Sequence, residues 1–301
     1  MAQQKKKTAK IIDGKEVAKT LKEKIKKEVA QLVDKGEDGP HLAAVIVGND
    51  PASETYVRSK EKAAQSVGMM SSVYRYPEKI TEKELLDVID FLNKDPEIDG
   101  FIVQLPLPEH IDENKIIERI SPAKDVDGFH PVNVGKMTIG QPGFLPATPA
   151  GIIELLRYYN IDTEGKNCVV LGRSNIVGSP VSILMSKKSN PGNATVTLCH
   201  SKTKNLKDIT KNADILIAAI GKPHFVTGDM VKNGAVVIDV GIHRVEDKEN
   251  PKGYKLVGDV DFEDVKNKAS YITPVPGGVG PMTIASLLNN TIKAYKKEYY
   301  S

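Results

Sequence analysis

The chain has 301 residues, of which 40% are apolar, and this length and composition predict a globular protein with two domains. The formal net charge is +3, from 42 Lys and Arg against 39 Asp and Glu, which is too small and too dispersed to favour nucleic acid as a partner. No run of about eighteen apolar residues occurs, so no segment is expected to span a membrane. The two cysteines, Cys168 and Cys199, lack metal-binding spacing and are expected to be buried, reduced thiols.

The chain begins with a basic, polar segment at residues 1–10, which we predict to be a frayed terminus because the following Ile11 and Ile12 are too few to form the apolar core of a signal peptide. The first half then alternates helical and strand-like periodicity, which predicts a parallel sheet with helical crossovers. The predicted elements are, in order, a helix at 14–35, a strand at 42–48, a helix at 53–67, a strand at 71–76, a helix at 81–94 and a strand at 100–106.

A segment rich in Pro, Gly and Asp lies between Ile111 and Pro149, with a helical pattern only at 113–120, and a domain boundary is predicted near Pro146. Thr148 is a good N-cap residue with Pro149 in the first helical position, which predicts a helix through Tyr158. A second α/β series follows. Its strands are predicted at 167–171, 194–199, 215–219, 235–240 and 271–273, with helices after Gly178, Asn205, Thr227 and Asp261 and a last helix from 281 to about 299.

The predicted fold class is therefore α/β, with two α/β domains and a cleft between them, the second domain being a Rossmann-like doubly wound parallel sheet. The first domain is predicted to span residues 1–147, completed by the C-terminal helix at 281–301. The second is predicted to span residues 148–280.

A glycine-rich turn follows the first strand of the second series. Gly172 and Gly178 flank the entry to the next helix, where backbone amides and a helix N-terminus can meet a pyrophosphate. The fingerprint departs from G-x-G-x-x-G, because Ser174 occupies the place of the second glycine and the spacing is one residue too long. A purely structural strand-to-helix turn is the alternative.

The end of the next strand bears on the choice of cofactor. NAD sites usually carry an acidic residue there to hold the ribose hydroxyl, but here the segment is Cys199-His200-Ser201-Lys202. Arg173, Ser201 and Lys202 instead offer donors suited to a 2′-phosphate, which favours NADP. The alternative for Lys202 and Lys204 is that they belong only to a solvated face.

A candidate acid/base site lies in the first domain. Asp50 is predicted to cap a helix with Pro51 in its first position, which places Ser53, Tyr56 and Lys60 on one face. The same spacing arises by chance on many exposed helices, so this pattern indicates a functional site only if other residues support it.

Two further segments contribute polar side chains. The strand ending in Val103 would deliver Gln104 to the C-terminal edge of a parallel sheet, where open α/β folds bind ligands. The next loop carries Asp125 and Asp127; no third metal ligand accompanies them, so Asp127 is predicted to accept hydrogen bonds from an amino-heterocycle and Asp125 to be structural. No metal site is predicted, and the glycines and prolines of this loop have the alternative of being only turn residues.

Over essentially its whole length, the sequence resembles the bifunctional methylenetetrahydrofolate dehydrogenase/methenyltetrahydrofolate cyclohydrolase family. Ala147 is one departure, since the family often has cysteine there. The segments that carry the resemblance are 47–49 leading to Ser53, Tyr56 and Lys60, and then 103–108, 124–128, 146–149, 172–180, 238–242 and 274–283.

The resemblance implies a cytoplasmic, homodimeric enzyme of one-carbon metabolism that supplies purine biosynthesis. It would oxidise 5,10-methylenetetrahydrofolate to the 5,10-methenyl cation with NADP and hydrolyse the cation to 10-formyltetrahydrofolate in the same site. Lys60, withdrawn from water, would act as a neutral base, Gln104 would orient it, Tyr56 would close over the pterin and Asp127 would hold the pterin's amino edge.

The resemblance also implies the remaining contacts. The folate would be bound by Ser53, Tyr56, Lys60, Gln104, Asp127, Pro276, Gly277, Gly278 and Val279. NADP would be bound by Gly172, Arg173, Ser174, Val177, Gly178, Ser201, Gly221, Ile242 and Thr283.

Three other functions remain open from the sequence. A short-chain dehydrogenase also uses Tyr-x-x-x-Lys, but its glycine-rich turn precedes the tyrosine, whereas Gly172 follows Tyr56. The second is a monofunctional, NAD-dependent methylenetetrahydrofolate dehydrogenase. The third is a folate- or nucleotide-binding module without turnover.

Overall fold

The computed structural model describes residues 8–251 and 253–300, which form two compact units. One unit contains Ala18–Ala147 and the described residues from Ile284 onward; the other contains the described residues up to Val17 and Thr148–Thr283. Both are built from parallel strands alternating with helices, so the predicted α/β class is confirmed. None of the helices in these residues has the length and apolar character needed to cross a membrane.

The unit built on Ala18–Ala147 has a three-stranded parallel sheet in the order β3-β2-β4. Its strands are β2 (His41–Val47), β3 (Met70–Tyr76) and β4 (Gly100–Val103). The helices that lie mainly in it are α1 (Gly14–Asp34), α2 (Pro51–Ser66), α3 (Glu82–Lys94), α4 (Glu113–Arg119), α5 (Pro131–Ile139) and α10 (Val279–Tyr295).

The central strand β2 is buried on both faces, and its side chains alternate between two apolar clusters. Leu42, Ala44 and Ile46 pack with residues of α2 and α10, whereas Ala43 and Val45 pack with residues of α3 and α4. Alternation with a period of two is the geometry of any strand, and helices on both faces are what a parallel sheet requires.

The second unit has a six-stranded, all-parallel sheet in the order β1-β11-β8-β7-β5-β6. The strands are β1 (Lys10–Ile11), β5 (Asn167–Leu171), β6 (Thr195–Cys199), β7 (Ile215–Ala218), β8 (Val236–Asp239) and β11 (Tyr271–Ile272). Its helices include α6 (Ala147–Tyr158), α7 (Gly178–Ser186), α8 (Leu206–Thr210), a short 3-10 helix (Gly228–Met230) and α9 (Phe262–Val265).

Counted from β5, the consecutive strands of this sheet lie in the order 2-1-3-4-5, which is the flavodoxin-like variant of a doubly wound sheet. The order reverses between β5 and β7. Ligands of open α/β sheets bind outside the carboxyl ends of the strands at this switch point, so the loops after β5 and β7 are the expected ligand-binding loops.

The start of the chain departs from the predicted domain limits. Strand β1 pairs in parallel with β11, with Lys10 opposite Tyr271, so the described residues up to Val17 belong to the unit with the six-stranded sheet and not to the first domain. The predicted frayed terminus lies outside the described residues at 1–7, and it is wrong for Lys10, which is a strand residue.

Three elements in the interior also differ from the prediction. Helix α5 was not expected; His130 accepts a hydrogen bond from the amide of Val132 and Pro131 occupies the first turn. Helix α6 begins at Ala147, so Thr148 lies inside it and is not its N-cap. An antiparallel pair, β9 (His243–Glu246) and β10 (Tyr254–Val257), was also missed.

Candidate functional site

In the unit built on Ala18–Ala147, α2 begins as predicted. The Asp50 carboxylate accepts a hydrogen bond from the amide of Ser53 at 2.7 Å, and Pro51 fills the first helical position. Ser53 is buried, Tyr56 is 39% exposed and Lys60 is half-buried. Residues spaced three and four apart lie on one helix face, so α2 presents these three side chains together.

Lys60 and Gln104 are brought together by the parallel pairing of β2 and β4. Helix α2 follows β2, and Gln104 follows β4, where its amide still donates to Val45 O at 2.9 Å. The Lys60 ammonium donates to Gln104 Oε1 at 3.2 Å, and Gln104 Nε2 donates to Leu105 O at 2.7 Å. The second bond orients the amide so that its oxygen faces the lysine.

Asp127 is half-buried, and its carboxylate has no hydrogen-bond partner among residues 8–251 and 253–300. Loss of solvation raises its pKa above the usual range, and the positive charge of Lys60 opposes that rise. The electrostatic influence of Lys60 places both groups in one environment. An open carboxylate beside an amine can accept hydrogen bonds from a ligand's amino groups.

The neighbouring Asp125 is buried and fully engaged. Its carboxylate accepts hydrogen bonds from the amides of Gly128, Phe129 and His130 at 3.1, 3.2 and 2.8 Å and from Asn133 Nδ2 at 2.8 Å. Burial raises the pKa of Asp125, and these hydrogen bonds oppose the rise. This carboxylate therefore holds the loop that carries Asp127.

In the other unit, the turn after β5 depends on two glycines. Gly172 has φ +106°, and a Cβ on it would overlap the carbonyl oxygen of Ala219. A Cβ on Gly178 would overlap the carbonyl oxygen of Gly172. The turn and the loop after β7 are thus in direct backbone contact, which only glycine permits here.

Ser174 explains how the turn tolerates its irregular spacing. Its hydroxyl accepts hydrogen bonds from the amides of Val177 and Gly178 at 3.2 and 3.4 Å, and the Ser179 hydroxyl donates to Arg173 O at 3.2 Å. The side chain of Ser174 therefore closes a seven-residue turn where the usual fingerprint has a shorter one with a glycine.

The ends of β5 and β6 are adjacent. Leu171 pairs with Cys199, and the Gly172 amide donates to Cys199 O at 2.9 Å. Arg173 and Ser201, which follow these strands, are both exposed, and within the described residues Arg173 has no carboxylate partner. A guanidinium without an acidic partner, beside a serine at a strand end that lacks a carboxylate, suits a 2′-phosphate.

The remaining predicted cofactor residues follow the next strands. Gly221 lies after β7 with φ +76°, and Ile242 lies after β8 and is 42% exposed. The Thr283 hydroxyl is hydrogen-bonded to that of Thr148 at 2.9 Å. The structure therefore gathers the predicted nucleotide residues from Gly172 to Ile242 along one edge of one sheet.

The predicted folate residues are divided between the units. Ser53, Tyr56, Lys60, Gln104 and Asp127 belong to one, whereas Pro276, Gly277, Gly278 and Val279 belong to the unit with the six-stranded sheet. In that second unit the Lys15 amide donates to Gly277 O at 3.2 Å.

Sequence reasoning missed a pair of buried carboxylates, Asp239 and Asp259, which are 3% and 0% exposed. Asp259 accepts hydrogen bonds from the amides of Ile220, Gly221 and Lys222, and Asp239 accepts one from the Asp259 amide. Burial raises the pKa of Asp239 to about 7, with hydrogen bonds from backbone amides opposing the rise and the charge of Asp259 adding to it. The available signal was an acidic residue directly ending an apolar strand, as Asp239 does.

Family models and a known relative both match this chain over most of its length. A model of the tetrahydrofolate dehydrogenase/cyclohydrolase catalytic domain matches residues 12–127, and a model of the NAD(P)-binding domain of the same family matches residues 146–299. The "Bifunctional protein FolD" of Porphyromonas gingivalis is 59% identical over 292 residues, which is 97% of this chain and 99% of that protein.

Two solved structures extend the comparison. The bifunctional FolD enzyme, a methylenetetrahydrofolate dehydrogenase/cyclohydrolase, from Campylobacter jejuni is 50% identical with a TM-score of 0.90, covering 96% of this chain and 99% of that one. The Trypanosoma brucei N5,N10-methylenetetrahydrofolate dehydrogenase-cyclohydrolase, described as complexed with NADP cofactor and inhibitor, is 40% identical with a TM-score of 0.92, covering 98% and 100%.

Proposed function

The chain belongs to the tetrahydrofolate dehydrogenase/cyclohydrolase family, and we propose that it oxidises 5,10-methylenetetrahydrofolate with NADP and hydrolyses the product to 10-formyltetrahydrofolate at one site. The observation that carries the assignment of the site is the hydrogen bond from Lys60 to Gln104, with the open carboxylate of Asp127 in the same electrostatic environment.

The oxidation requires little chemistry from side chains. The reacting carbon lies between two nitrogens, so the substrate itself stabilises the cation that remains after hydride loss. NADP, when bound, supplies the hydride acceptor. The protein's task in this step is to align the two reactants, which requires no strong acid in the site.

Hydrolysis of the cation requires a base, and Lys60 is proposed for this role. Water adds to the cationic carbon and must lose a proton. We propose that the Lys60 amine is the group that accepts this proton. The carbon–N5 bond of the adduct then breaks as the carbonyl forms, and N5 keeps the electron pair and takes the hydroxyl proton. Gln104 Oε1 orients the amine without adding charge.

The other residues of this set bind and position the substrate. Tyr56, exposed on the same face of α2, is proposed to cover the pterin ring. Ser53 contributes to the same face, and Asp127 accepts hydrogen bonds from the pterin's amino edge. Pro276, Gly277, Gly278 and Val279 are proposed to border the folate.

The NADP site is proposed to follow the edge of the six-stranded sheet. Arg173 and Ser201 bind the 2′-phosphate, and the backbone of the Gly172–Gly178 turn, with Ser174 and Val177, faces the pyrophosphate. Gly221, Ile242 and Thr283 contact the remainder of the dinucleotide. The absence of an acidic residue at the end of β6 supports NADP over NAD.

Replacement of Lys60 tests the proposed base. In Lys60→Met, the cyclohydrolase rate should fall by about 10²–10⁴-fold, the usual contribution of a general base, while folate binding is retained. The measurement is consumption of methenyltetrahydrofolate without NADP, together with calorimetric titration of a folate ligand. Lys62→Met is the matched control, because Lys62 is exposed on the same helix but outside the face shared by Tyr56 and Lys60. Unchanged hydrolysis in Lys60→Met would remove this residue from the mechanism.

We also propose that the protein is a cytoplasmic homodimer whose product supports purine biosynthesis. The support is the resemblance to the family, and light scattering of the purified chain tests the dimer directly. A monomeric mass at micromolar concentration would refute it.

A further inference from the structure

Asp259 is a buried carboxylate that the proposed mechanism does not use. It follows the β9–β10 pair and is completely inaccessible to solvent. Its Oδ2 accepts hydrogen bonds from the amides of Ile220 and Gly221 at 2.6 and 3.1 Å, and its Oδ1 accepts one from the amide of Lys222 at 2.9 Å. Three consecutive backbone donors thus converge on one side chain.

Consecutive amides that point to one spot form a concave anion site, of the kind that binds phosphate in many proteins. Here the protein's own carboxylate occupies that site. The loop after β7 is therefore fixed in one conformation and withheld from a ligand phosphate, which leaves the turn at Gly172 as the place for the pyrophosphate.

Asp259 also reaches the segment after β8. The His243 ring, through Nε2, is hydrogen-bonded to Asp259 Oδ1 at 2.8 Å, and His243 directly follows the exposed Ile242. Asp239, the last residue of β8, accepts hydrogen bonds from the amides of Gly241 and Asp259 at 3.0 and 2.9 Å. The loops after β7 and β8 are consequently joined through one carboxylate.

The strand order shows which half of the dinucleotide these loops would serve. The ends of β6, β5, β7 and β8 follow one another along the sheet and span about 14 Å at the usual strand spacing. In the proposed site, Ser201 after β6 and Arg173 after β5 bind the 2′-phosphate. An extended dinucleotide that starts there and crosses the Gly172 turn ends over β7 and β8.

We propose that Asp259 is a positioning residue for the nicotinamide half of NADP, because it holds the loops that carry Gly221 and Ile242. This inference rests on the cofactor roles proposed above for those two residues. Asp259 does not itself touch the reacting atoms; it acts through the backbone of residues 220–222 and through His243.

Asp259→Asn tests the proposal. An amide at this position replaces one acceptor oxygen by an NH₂ group, which confronts either the amides of Ile220 and Gly221 or the amide of Lys222. We expect the KM for NADP and the Kd of NADPH to rise at least about fivefold, on the scale of one lost charge-assisted hydrogen bond. The Kd of adenosine 2′,5′-bisphosphate, which represents the other half of NADP, should remain within about twofold.

The second activity provides an internal control. Cyclohydrolase kcat/KM, measured without NADP, should also stay within about twofold in Asp259→Asn, because Lys60 lies in the other unit. Asp264→Asn is the control variant, since Asp264 accepts a hydrogen bond from the Gly228 amide at 2.6 Å but, within the described part of the chain, forms no hydrogen bond with either cofactor loop. It should leave all four quantities unchanged.

Two results would overturn the proposal. One is a KM for NADP within about twofold of the original value in folded Asp259→Asn, and the other is equal weakening of NADPH and adenosine 2′,5′-bisphosphate. If Asp259→Asn does not fold, His243→Leu is the second test, because it removes one hydrogen bond to the Asp259 carboxylate. It should raise the KM for NADP and leave the Kd of adenosine 2′,5′-bisphosphate and the cyclohydrolase kcat/KM as they are. An unchanged KM for NADP in His243→Leu would overturn the proposal. Failure of the proposed function is distinguishable, because then the unmodified protein would lack NADP-dependent oxidation.

Discussion

The ionisation of Asp239 should make the stability of the protein depend on pH in an unusual direction. This carboxyl is 3% exposed, and burial raises its pKa to about 7 from an ordinary value of 3.8. The folded chain therefore binds a proton that the unfolded chain releases over the range between these two values. Unfolding then releases a proton, so the free energy of unfolding falls as pH rises through this range.

The magnitude follows from the two pKa values. For a carboxyl that titrates at 3.8 unfolded and about 7 folded, lowering the pH from about 8 to about 5 increases the free energy of unfolding by about 2.5 kcal/mol. Below the unfolded value the stabilisation is complete, and above the folded value it is lost. In Asp239→Asn this contribution is absent at every pH.

The test is chemical denaturation of the original protein and of Asp239→Asn at about pH 5, 6, 7 and 8, followed by circular dichroism. The variant should be less stable at pH 5, because its NH₂ group faces the Val260 amide that now donates to Asp239 at 3.0 Å. The stability gap should narrow by about 2.5 kcal/mol between pH 5 and pH 8. Parallel curves for the two proteins would refute the argument, because they would show that Asp239 does not titrate in this range.

Three further predictions concern the nucleotide unit. Gly172→Ala should lower the free energy of unfolding by about 3 kcal/mol or more, because the added Cβ meets backbone and φ is positive. Gly234→Ala is the control: its φ is +82° but the space around it is open, so it should cost only about 1–2 kcal/mol. Denaturant titration measures both values. Arg173→Gln should lower kcat/KM for NADP by about ten- to a hundredfold and change that for NAD little; equal loss with both cofactors would contradict the 2′-phosphate role. Burial raises the pKa of Cys168 to about 12 and also raises that of Cys199, so an aromatic disulfide reagent should label neither thiol before denaturation.

The core of each unit could be predicted from periodicity because the signals were local. The continuous apolar run at residues 42–47 is typical of a central parallel strand, and Asp50 with Pro51 is a local start signal for α2. The contact between Lys60 and Gln104 spans 44 residues, yet it follows from two such local elements, because parallel strands end at the same edge of a sheet.

The elements that were missed depend on partners distant in the sequence. Strand β1 has only two residues and exists because Tyr271 and Ile272 present an open sheet edge to it. The strands β9 and β10 alternate charged and partly buried residues, a weak pattern that becomes a ladder only when they pair with each other. Helix α5 interrupts a segment rich in Pro and Gly, where composition favoured loops.

The two buried aspartates of the nucleotide unit show a further limit of sequence reasoning. From the sequence, a carboxylate at a strand end is equally compatible with binding a ribose hydroxyl, binding a metal ion or acting as a catalytic acid or base. In the structure, Asp239 and Asp259 are buried and each accepts hydrogen bonds from three backbone amides of its own unit, so neither is available to a ligand. What distinguishes them from Asp127, whose carboxylate is open, is the number of amides that converge on each one, and that number depends on loops whose paths only the folded chain defines.

This difference also divides the acidic residues by function. A carboxylate that several amides hold cannot change partners without exposing buried donors, so it suits a fixed support. A half-buried carboxylate next to an amine can exchange water for a ligand's amino group at little cost. On this argument Asp125, Asp239 and Asp259 hold loops in place, whereas Asp127 suits the ligand-binding role proposed for it. The same criterion separates Gln104, whose oxygen faces Lys60, from Asn133, whose amide nitrogen donates to Pro122 O and Asp125.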